Sequence, residues 1–289
     1  MKAAPFDYVR PKSVEEACRL LDEGGGGATL LAGGQTLMPL LALRMSQPFI
    51  LVDINRIESL KGVTKIDGAL RIGPMTRQND VIADPLVNQH LPMLATAISH
   101  TGHVQTRNRG TIGGSIAFGE PAAEQPASAV ALGATLELAS VRGTRRIAAR
   151  DFYFGPYLTA LEPDEILTAI DFPDWPAGTI TVFHEVARRP GDFALVGLIG
   201  ALVVEGGRIA RAGLCWFGMG PVPVAAVQAE AALIGQSISS IDARAIAELA
   251  IADTAPFDDR HATADYRRTV GARVFARALS EALDLRMAA

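Results

Sequence analysis

The sequence predicts an α+β protein of two or three subdomains, and three observations carry that expectation. The first 55 or so residues alternate helical and strand patterns, as a small α/β unit does. The next stretch has short β-type segments joined by glycine turns. The last third runs through antiparallel strand patterns into three helical ones. A chain of 289 residues is long enough for such subdomains to bury a sizeable core.

Ser13 and Glu16 form a capping box ahead of VEEACRLLDE, so a helix starts near Val14. GGGG at 24–27 ends it, because glycine tolerates the left-handed C-cap and the loop beyond. ATLLA follows as a short buried strand running into Gly33, and PFILVDI (48–54) is a second strand, bounded by a proline and Asn55. Asp67-Gly68 marks a hairpin. LPMLATAISH is helical, with Leu91, Leu94, Ala95 and Ile98 on one face. ASAVALGATLELASVRGTRRIAARDFY reads as a helix and then hairpin strands turning at Arg142-Gly143. ILTAIDFP is a strand ending at Pro173, and the turn-rich DWPAGT (174–179) is the candidate boundary. ITVFHEVA and ALVGLIGALVVEGGRIARAGLCWFGMG read as antiparallel strands, with Gly206-Gly207 at a hairpin. Helical patterns cover 225–235, 242–252 and 265–285; in the last, Val270, Val274, Ala278 and Leu279 form one core-facing stripe.

Composition excludes several classes. A 49% hydrophobic and 20% charged content is that of an ordinary globular protein, and a net charge of -4 leaves no nucleic-acid footprint. No apolar run approaches the roughly 20 residues of a membrane helix. Asp7, Arg10 and Lys12 fall where the apolar core of a signal peptide would be. Cys18 and Cys215 lie far apart, form no metal-spaced cluster and read as small buried residues, which makes a reducing cytoplasm the expected compartment. His100 and His103 stand three apart with no third ligand, so they are expected to face solvent or pack loops.

Two glycine-rich segments carry the chemistry. LLAGGQTLM (30–38) and RNRGTIGGSIA (107–117) each hold a Gly-Gly pair flanked by Thr or Ser and open into a predicted helix. Neither is a P-loop or a G-x-G-x-x-G fingerprint. A Gly-Gly pair lets backbone N–H groups reach an anion without a Cβ in the way. A helix start adds unpaired N–H groups and a favourable dipole. Thr36, Thr111 and Ser115 add hydroxyl donors. One such loop serves a monophosphate, and two can converge on a pyrophosphate. A dinucleotide has no γ-phosphate to transfer, so no P-loop lysine is required. The competing reading is that each pair is a plain turn in a chain with 28 glycines.

At these residues the chain resembles a known family. AGGQTLMPLLALRMSQP…LVDI, QTRNRGTIGGSIA…PAAEQP and VARRPGDFALVG are similar to the FAD-binding medium subunit of molybdenum hydroxylases. That family includes the flavin subunit of aerobic carbon monoxide dehydrogenase and the flavin domain of xanthine dehydrogenase. The likeness runs in order from FDYVRP to AALIGQ and DYRR, nearly the whole chain. It implies a PCMH-type FAD-binding domain of two α+β subdomains, at 1–57 and 58–174. A C-terminal domain of antiparallel strands and helices, of the CO dehydrogenase flavoprotein type, is implied at 175–289.

The resemblance places the pyrophosphate of a non-covalent FAD on Ala32, Gly33, Gly34, Gln35 and Thr36, with Leu37 beside them, and on Thr111, Ile112, Gly113, Gly114 and Ser115. Glu124 matches an acidic residue near the ribose or adenosine end, where a carboxylate would accept from hydroxyls; otherwise it is a solvated loop carboxylate. Leu167 matches an apolar position touching the cofactor, although its pattern places it in the core. Phe193 matches the residue beside the isoalloxazine ring, where it would stack on flavin or cover its face; its pattern alone makes it a strand core residue. Arg188, Arg189 and Asp192 would be a salt-bridged turn or, near flavin, would tune its potential through charge. Relatives usually read ADPAA where this chain has Gly119-Glu120, which keeps the acidic charge. They often carry a lysine where it has His184 and Glu185, which puts a lysine contact to the flavin ring in doubt. The Cys-rich insertion of the benzoyl-CoA reductase branch is absent from the sequence.

The implied function is that of the flavin subunit of an oxidoreductase. A large molybdopterin subunit hydroxylates a substrate, and a small subunit with [2Fe-2S] centres passes the electrons on. FAD here delivers them to an acceptor, in a dimer of heterotrimers. On this reading the chain has no catalytic side chain and no metal, in keeping with its lack of an iron–sulfur cysteine set. The alternative is a self-contained FAD-dependent oxidase of related architecture. Against it, the C-terminal portion is short for a substrate cap, and neither glycine loop holds a His or Cys for covalent flavin. A module that has lost its cofactor is opposed by the intact glycines and hydroxyls. Arg142, Arg145, Arg146 and Arg150 form either a solvated basic hairpin or a docking patch.

Overall fold

Three sheets follow one another along the computed structural model, which describes residues 2–284. The first is parallel: β1 (Asp7–Val9), β2 (Ala28–Leu31) and β3 (Ile50–Asp53) lie in the order β1-β3-β2. β1 extends the anticipated helix–strand alternation; three residues are too few to show a period, and pairing with β3 defines it. Between β1 and β2 runs α1 (Val14–Glu23), and between β2 and β3 runs α2 (Leu37–Leu43). α1 begins with the expected capping box: Ser13 Oγ accepts from Glu16 N at 3.2 Å, and the Glu16 carboxylate accepts from Lys12 N at 2.7 Å. At its end Gly24 remains right-handed, and Gly25 and Gly26 make the left-handed turn at φ 54° and 83°.

The second sheet is antiparallel, in the order β4-β5-β10-β6-β7. Its strands are β4 (Val63–Ile66), β5 (Ala69–Ile72), β6 (Thr135–Ser140), β7 (Gly143–Ala148) and, after the small hairpin β8 (Tyr153–Gly155) and β9 (Leu158–Thr159), β10 (Ile166–Pro173). Asp67-Gly68 forms the predicted turn, with Ile66 opposite Ala69. The second hairpin turns one residue earlier than anticipated: Ser140 pairs with Gly143, so Val141 and Arg142 make the turn. Six helices separate β5 from β6: α3 (Gln78–Ala83), α4 (Pro85–His90), α5 (Pro92–His100), α6 (Val104–Arg109), α7 (Ile112–Phe118) and α8 (Glu124–Ala131). Every residue of α8 is buried, because it lies against α5 on one side and the third sheet on the other.

That third sheet is an antiparallel meander of β11 (Ile180–Val186), β12 (Val196–Glu205), β13 (Arg208–Phe217) and β14 (Val224–Ala225). Gly206 and Gly207, both left-handed, join Glu205 to Arg208 as predicted. α9 (Val227–Leu233), α10 (Ala243–Ala252) and α11 (Ala264–Ala282) complete this part. The buried stripe of α11 is rotated from the anticipated one. It centres on Gly271, Phe275, Ala278 and Leu279, and Val270 and Val274 are only partly buried. Gly271 sets this rotation, since a Cβ there would stand 2.8 Å from both Ile251 Cδ1 and Met219 Cε. Position 285 of the anticipated helix lies outside the described residues.

The basic segment around β7 is a solvent-exposed hairpin whose charges are already paired within the chain. Arg142 pairs with Asp164, Arg145 with Glu165, Arg146 with Asp171 and Arg150 with Glu230. Cys18 and Cys215 are both buried and free, in the role expected of them. Glu230 is the most demanding of these acids: it also accepts from the buried Leu214 N at 2.7 Å, so it ties α9 to β13 and to Arg150. Glu230→Ala is expected to cost about 2–4 kcal/mol in urea unfolding, since it strands a buried amide and an ion-pair partner. Glu230→Gln, which keeps an acceptor, should cost less. Equal losses for the two variants would show that packing, not these bonds, sets the effect.

Candidate cofactor site

The two glycine segments are far apart in sequence and touch in the fold. A Cβ on Gly33 would lie 2.5 Å from Arg109 O and 2.8 Å from Gly110 Cα, so the bare glycine permits the contact. Gly34 is left-handed at φ 72° and turns the chain into α2. Gly113 faces inward, where a Cβ would meet Pro74 Cβ at 2.2 Å; it serves close packing. Gly114 is half-buried, and Ala32 Cβ is 3.7 Å from the place its own Cβ would take.

The two loops offer different donors. In the first, the backbone N–H groups of Gly34, Gln35 and Thr36 and the Thr36 hydroxyl have no acceptor among the described residues. Gln35 is exposed and its Nε2 donates back to Gly33 O at 3.3 Å. In the second, four amides are already used. Ile112 N donates to Thr76 O at 3.1 Å, Gly113 N to Pro74 O at 2.9 Å, Gly114 N to Thr111 Oγ1 at 3.1 Å and Ser115 N to Thr111 O at 3.3 Å. Thr111 is buried at 2% exposure as the N-cap of α7, and Ile112 is a core residue. Ser115 is half-buried, with a hydroxyl unpartnered among the described residues. Four amides of the second loop are thus bonded within the chain, and the Thr111 N–H has no acceptor among the described residues. Both following helices have only seven residues, which limits the dipole each can contribute.

A polar strut joins the loops. Asp53, at the end of β3, accepts from Tyr8 Oη, from Arg10 Nε at 3.3 Å and from Asn55 N at 2.9 Å. Burial pushes the Asp53 carboxyl up, but these hydrogen bonds outweigh it and hold its pKa below the ordinary value. Asn55 Nδ2 donates to Asp53 Oδ1 at 2.6 Å and to Ala32 O in the first loop at 2.8 Å. Arg77 Nη2 donates to Asn55 Oδ1 at 2.6 Å, and its Nη1 reaches Arg109 O in the second loop. Burial and the neighbouring Arg109 charge lower the Arg77 pKa, so two guanidinium groups without a carboxylate contact stand at the junction. Asn55, Arg77 and Arg109 were not anticipated as site residues. Asn55 and Arg77 stand just outside regular elements with no motif to mark them, whereas Arg109, the last residue of α6, lies inside the quoted segment RNRGTIGGSIA.

The remaining candidates divide. Glu124 opens α8 at 5% exposure, accepts from Thr101 Oγ1 at 3.0 Å and is pushed up to about 7 by burial, so it is not a solvated loop carboxylate. Leu37 opens α2, half-buried beside the first loop. Leu167 lies in β10 opposite Leu138, inside the main core. Phe193 is 65% exposed between β11 and β12, which corrects its reading as a strand core residue. Its turn is closed by Asp192 N donating to Arg189 O at 3.1 Å, not by a salt bridge; Arg188 instead reaches His261. His184 and Glu185 point to opposite faces of β11, His184 to Glu281 at 3.1 Å and Glu185 toward α5. His100 stacks on Phe183, and the exposed His103 packs under Gly191. A separate cavity of about 320 Å³, lined in part by Met93, Leu132 and Trp175, includes no residue of either loop. Among the described residues there is no cluster able to hold a metal, and no helix is long and apolar enough to cross a membrane.

Comparison with known proteins gives a consistent picture. Residues 4–175 match the family described as FAD binding domain in molybdopterin dehydrogenase, and residues 181–282 match the CO dehydrogenase flavoprotein C-terminal domain. The chain is 38% identical to the 6-hydroxypseudooxynicotine dehydrogenase complex subunit alpha of Paenarthrobacter nicotinovorans, over 98% of this chain and 96% of that one. It is 36% identical to the carbon monoxide dehydrogenase medium chain of Hydrogenophaga pseudoflava, over 96% of each. A solved structure of carbon monoxide dehydrogenase from the same organism superposes with a TM-score of 0.95 at 38% identity, covering 98% of this chain and 99% of that one.

The strut predicts a specific dynamic effect. Arg77→Lys keeps the charge but cannot bridge Asn55 and Arg109 together, and is expected to speed amide exchange in 110–115 and limited proteolysis within 30–38 at a cost of about 1–2 kcal/mol in stability. A change confined to one segment would show that the loops are held independently.

Proposed function

We propose a role that proceeds from one premise: the chain belongs to the family of FAD-binding subunits of molybdopterin dehydrogenases. It is the flavin subunit of a heteromeric, molybdenum-dependent oxidoreductase. FAD, when bound, supplies the redox chemistry, taking electrons from [2Fe-2S] centres on a small partner and giving them to a terminal acceptor. A large molybdopterin subunit oxidises the substrate, and the assembly is a dimer of heterotrimers. The relatives that match along nearly their full length are named as a medium chain and a complex subunit, which favours this role over a self-contained oxidase. We place the protein in the cytoplasm, on its two buried free thiols.

The contact between the two glycine loops is the observation that carries the reading. The free N–H groups of Gly34, Gln35 and Thr36 donate to phosphate oxygens, and the Thr36 and Ser115 hydroxyls add two further donors. Gly114 keeps the opposite wall low, and Ala32, Gly33, Thr111, Ile112 and Gly113 hold the loops in contact. Arg77 and Arg109 supply the positive charge that short helices and amides alone would lack. Glu124 accepts hydroxyl protons of the cofactor, Leu167 backs the site from the core, and the exposed Phe193 is free to cover flavin. Residues 1–57 and 58–174 act as the two cofactor subdomains and 175–289 as the C-terminal domain.

The chain is expected to bind FAD stoichiometrically in a flavin-fluorescence titration and to release it in acid. Gly34→Val, which forces a branched side chain into φ 72°, should weaken FAD by about tenfold or more. Folded protein that binds no FAD would end this reading, and flavin retained after acid would favour the covalent oxidase.

A further inference from the structure

We propose that Thr101 and Gln125 are positioning residues for Glu124. A one-way chain of hydrogen bonds, started at the second glycine loop, aims the Thr101 hydroxyl at one Glu124 oxygen and leaves the other to a ligand hydroxyl. The inference rests on the reading above that Glu124 accepts from the cofactor, and it concerns the residues behind that contact.

The chain begins at Gln78, the first residue of α3, whose backbone N donates to Gly110 O at 2.9 Å. Gln78 Nε2 donates to Gln125 Oε1 at 3.2 Å, and Gln125 Nε2 donates to Thr101 Oγ1 at 3.2 Å. Thr101, which ends α5, donates to Glu124 Oε2 at 3.0 Å. Gln78 is 4% exposed, Gln125 0% and Glu124 5%, so water does not compete for these bonds. The direction follows from the donor count, because a hydroxyl has one proton. Thr101 Oγ1 accepts from Gln125, so its own proton is left for Glu124. Turning Gln78 alone would set two amide oxygens against each other. Turning Gln78 and Gln125 together would make Thr101 donate to Gln125, and Glu124 would then need a proton on Oε2 to keep the last bond. The cost of the observed direction falls at the far end, where Gln78 Oε1 is buried without a partner. A glycine at 110 admits that amide, since a Cβ there would lie 2.6 Å from Gln78 Oε1.

Glu124 is thereby held by one oxygen. Its Oε1 has no partner among the described residues and is not sealed in the core. Burial pushes the carboxyl up to about 7, against the pull of a backbone bond, the Thr101 hydroxyl and the Arg107 charge. Arg107 of α6 also fixes the turn that carries the hydroxyl, donating to Thr101 O at 3.0 Å and Gly102 O at 3.1 Å. Among the other charged groups nearby, Glu185 of β11 is held at about 7 by burial and then by the Glu124 charge. His100, lowered by burial and then by Arg107, packs on Phe183, and His103 lies under Gly191. Glu120 and Arg150 are engaged by Tyr157 and Glu230. A donor to a carboxylate favours its ionised form. The Thr101 bond therefore keeps Glu124 a better acceptor near neutral pH than burial alone would allow. A ligand hydroxyl on Oε1 also favours the ionised form, so affinity is greatest above about pH 7 and declines as pH falls through that value.

The test has two readouts on the whole chain. One is the Glu124 titration midpoint without ligand, followed by the carboxyl carbon signal of isotope-labelled glutamate and identified by its loss in Glu124→Gln. The other is FAD and ADP affinity from about pH 5.5 to 9. Thr101→Val keeps nearly the same shape and removes the hydroxyl. It should raise the midpoint by about one pH unit and weaken both ligands by about fivefold at pH 7. Gln125→Glu replaces the Nε2 donor by an acceptor and draws the Thr101 proton away, so it should raise the midpoint with the hydroxyl intact. Thr101→Ser should restore the wild-type midpoint and affinities. An unmoved midpoint in Thr101→Val or in Gln125→Glu would overturn the proposal. So would a Thr101→Ser midpoint as high as that of Thr101→Val, because packing and not the hydroxyl would then set Glu124. Midpoints that move as expected, with ligand affinities that ignore both pH and these variants, would instead remove the reading of Glu124 as a cofactor acceptor.

Discussion

The hydrogen-bonded line from Asp53 through Asn55 to Arg77 and Arg109 O is the constraint on which the cofactor site depends. It crosses from the parallel sheet to the helical layer of the second sheet, between cores that are separately packed. A single neutral bond of this kind contributes about 1 kcal/mol net, and those involving an ionised group about 1.5–3. The line matters less for total stability than for geometry. It places Ala32 O and Arg109 O on the same bridge, so the first glycine loop is fixed against the second. Hydrogen bonds have direction, and apolar contact does not, which is why a polar strut can set a loop spacing that a greasy seam would leave loose.

Charge is distributed to the same end. Along the edge of the second sheet every arginine from 142 to 150 is engaged by a carboxylate of its own chain. Arg77 differs, for its guanidinium is held by the Asn55 side-chain oxygen and the Arg109 carbonyl, not by an acid. Two carboxyls, Glu124 at the start of α8 and Glu185 in β11, are withheld from water. The third sheet packs on α8, which brings β11 beside α5.

Much of this protein could be read before folding. Ser13 and Glu16 start α1 where the capping box placed them, Asp67-Gly68 and Gly206-Gly207 turn as their residue types require, and α5 buries the face its period marked. The motifs around Gly33 and Gly113 also carried the family, because their order along the chain is itself specific. The misses have physical causes. The α11 stripe shifted because Gly271 lets two partners approach more closely than a Val-based pattern assumes. Phe193 was assigned to a strand because Phe-Ala-Leu-Val is apolar throughout, yet β12 begins only at Val196.

What the sequence determined by itself is what a few adjacent residues encode: helix starts, turns, strand periods, and two glycine loops without a lysine. Only the tertiary structure decided which amides of those loops stay free, since Thr76 O and Pro74 O reach the second loop from outside it. It alone decided that Asn55 and Arg77 join the loops and that Glu185, not His184, turns toward α5. The reason is the range of the interactions. Capping and periodicity act within one or two turns of chain, whereas a hydrogen-bond partner or a buried charge is set by groups that packing brings together from distant segments.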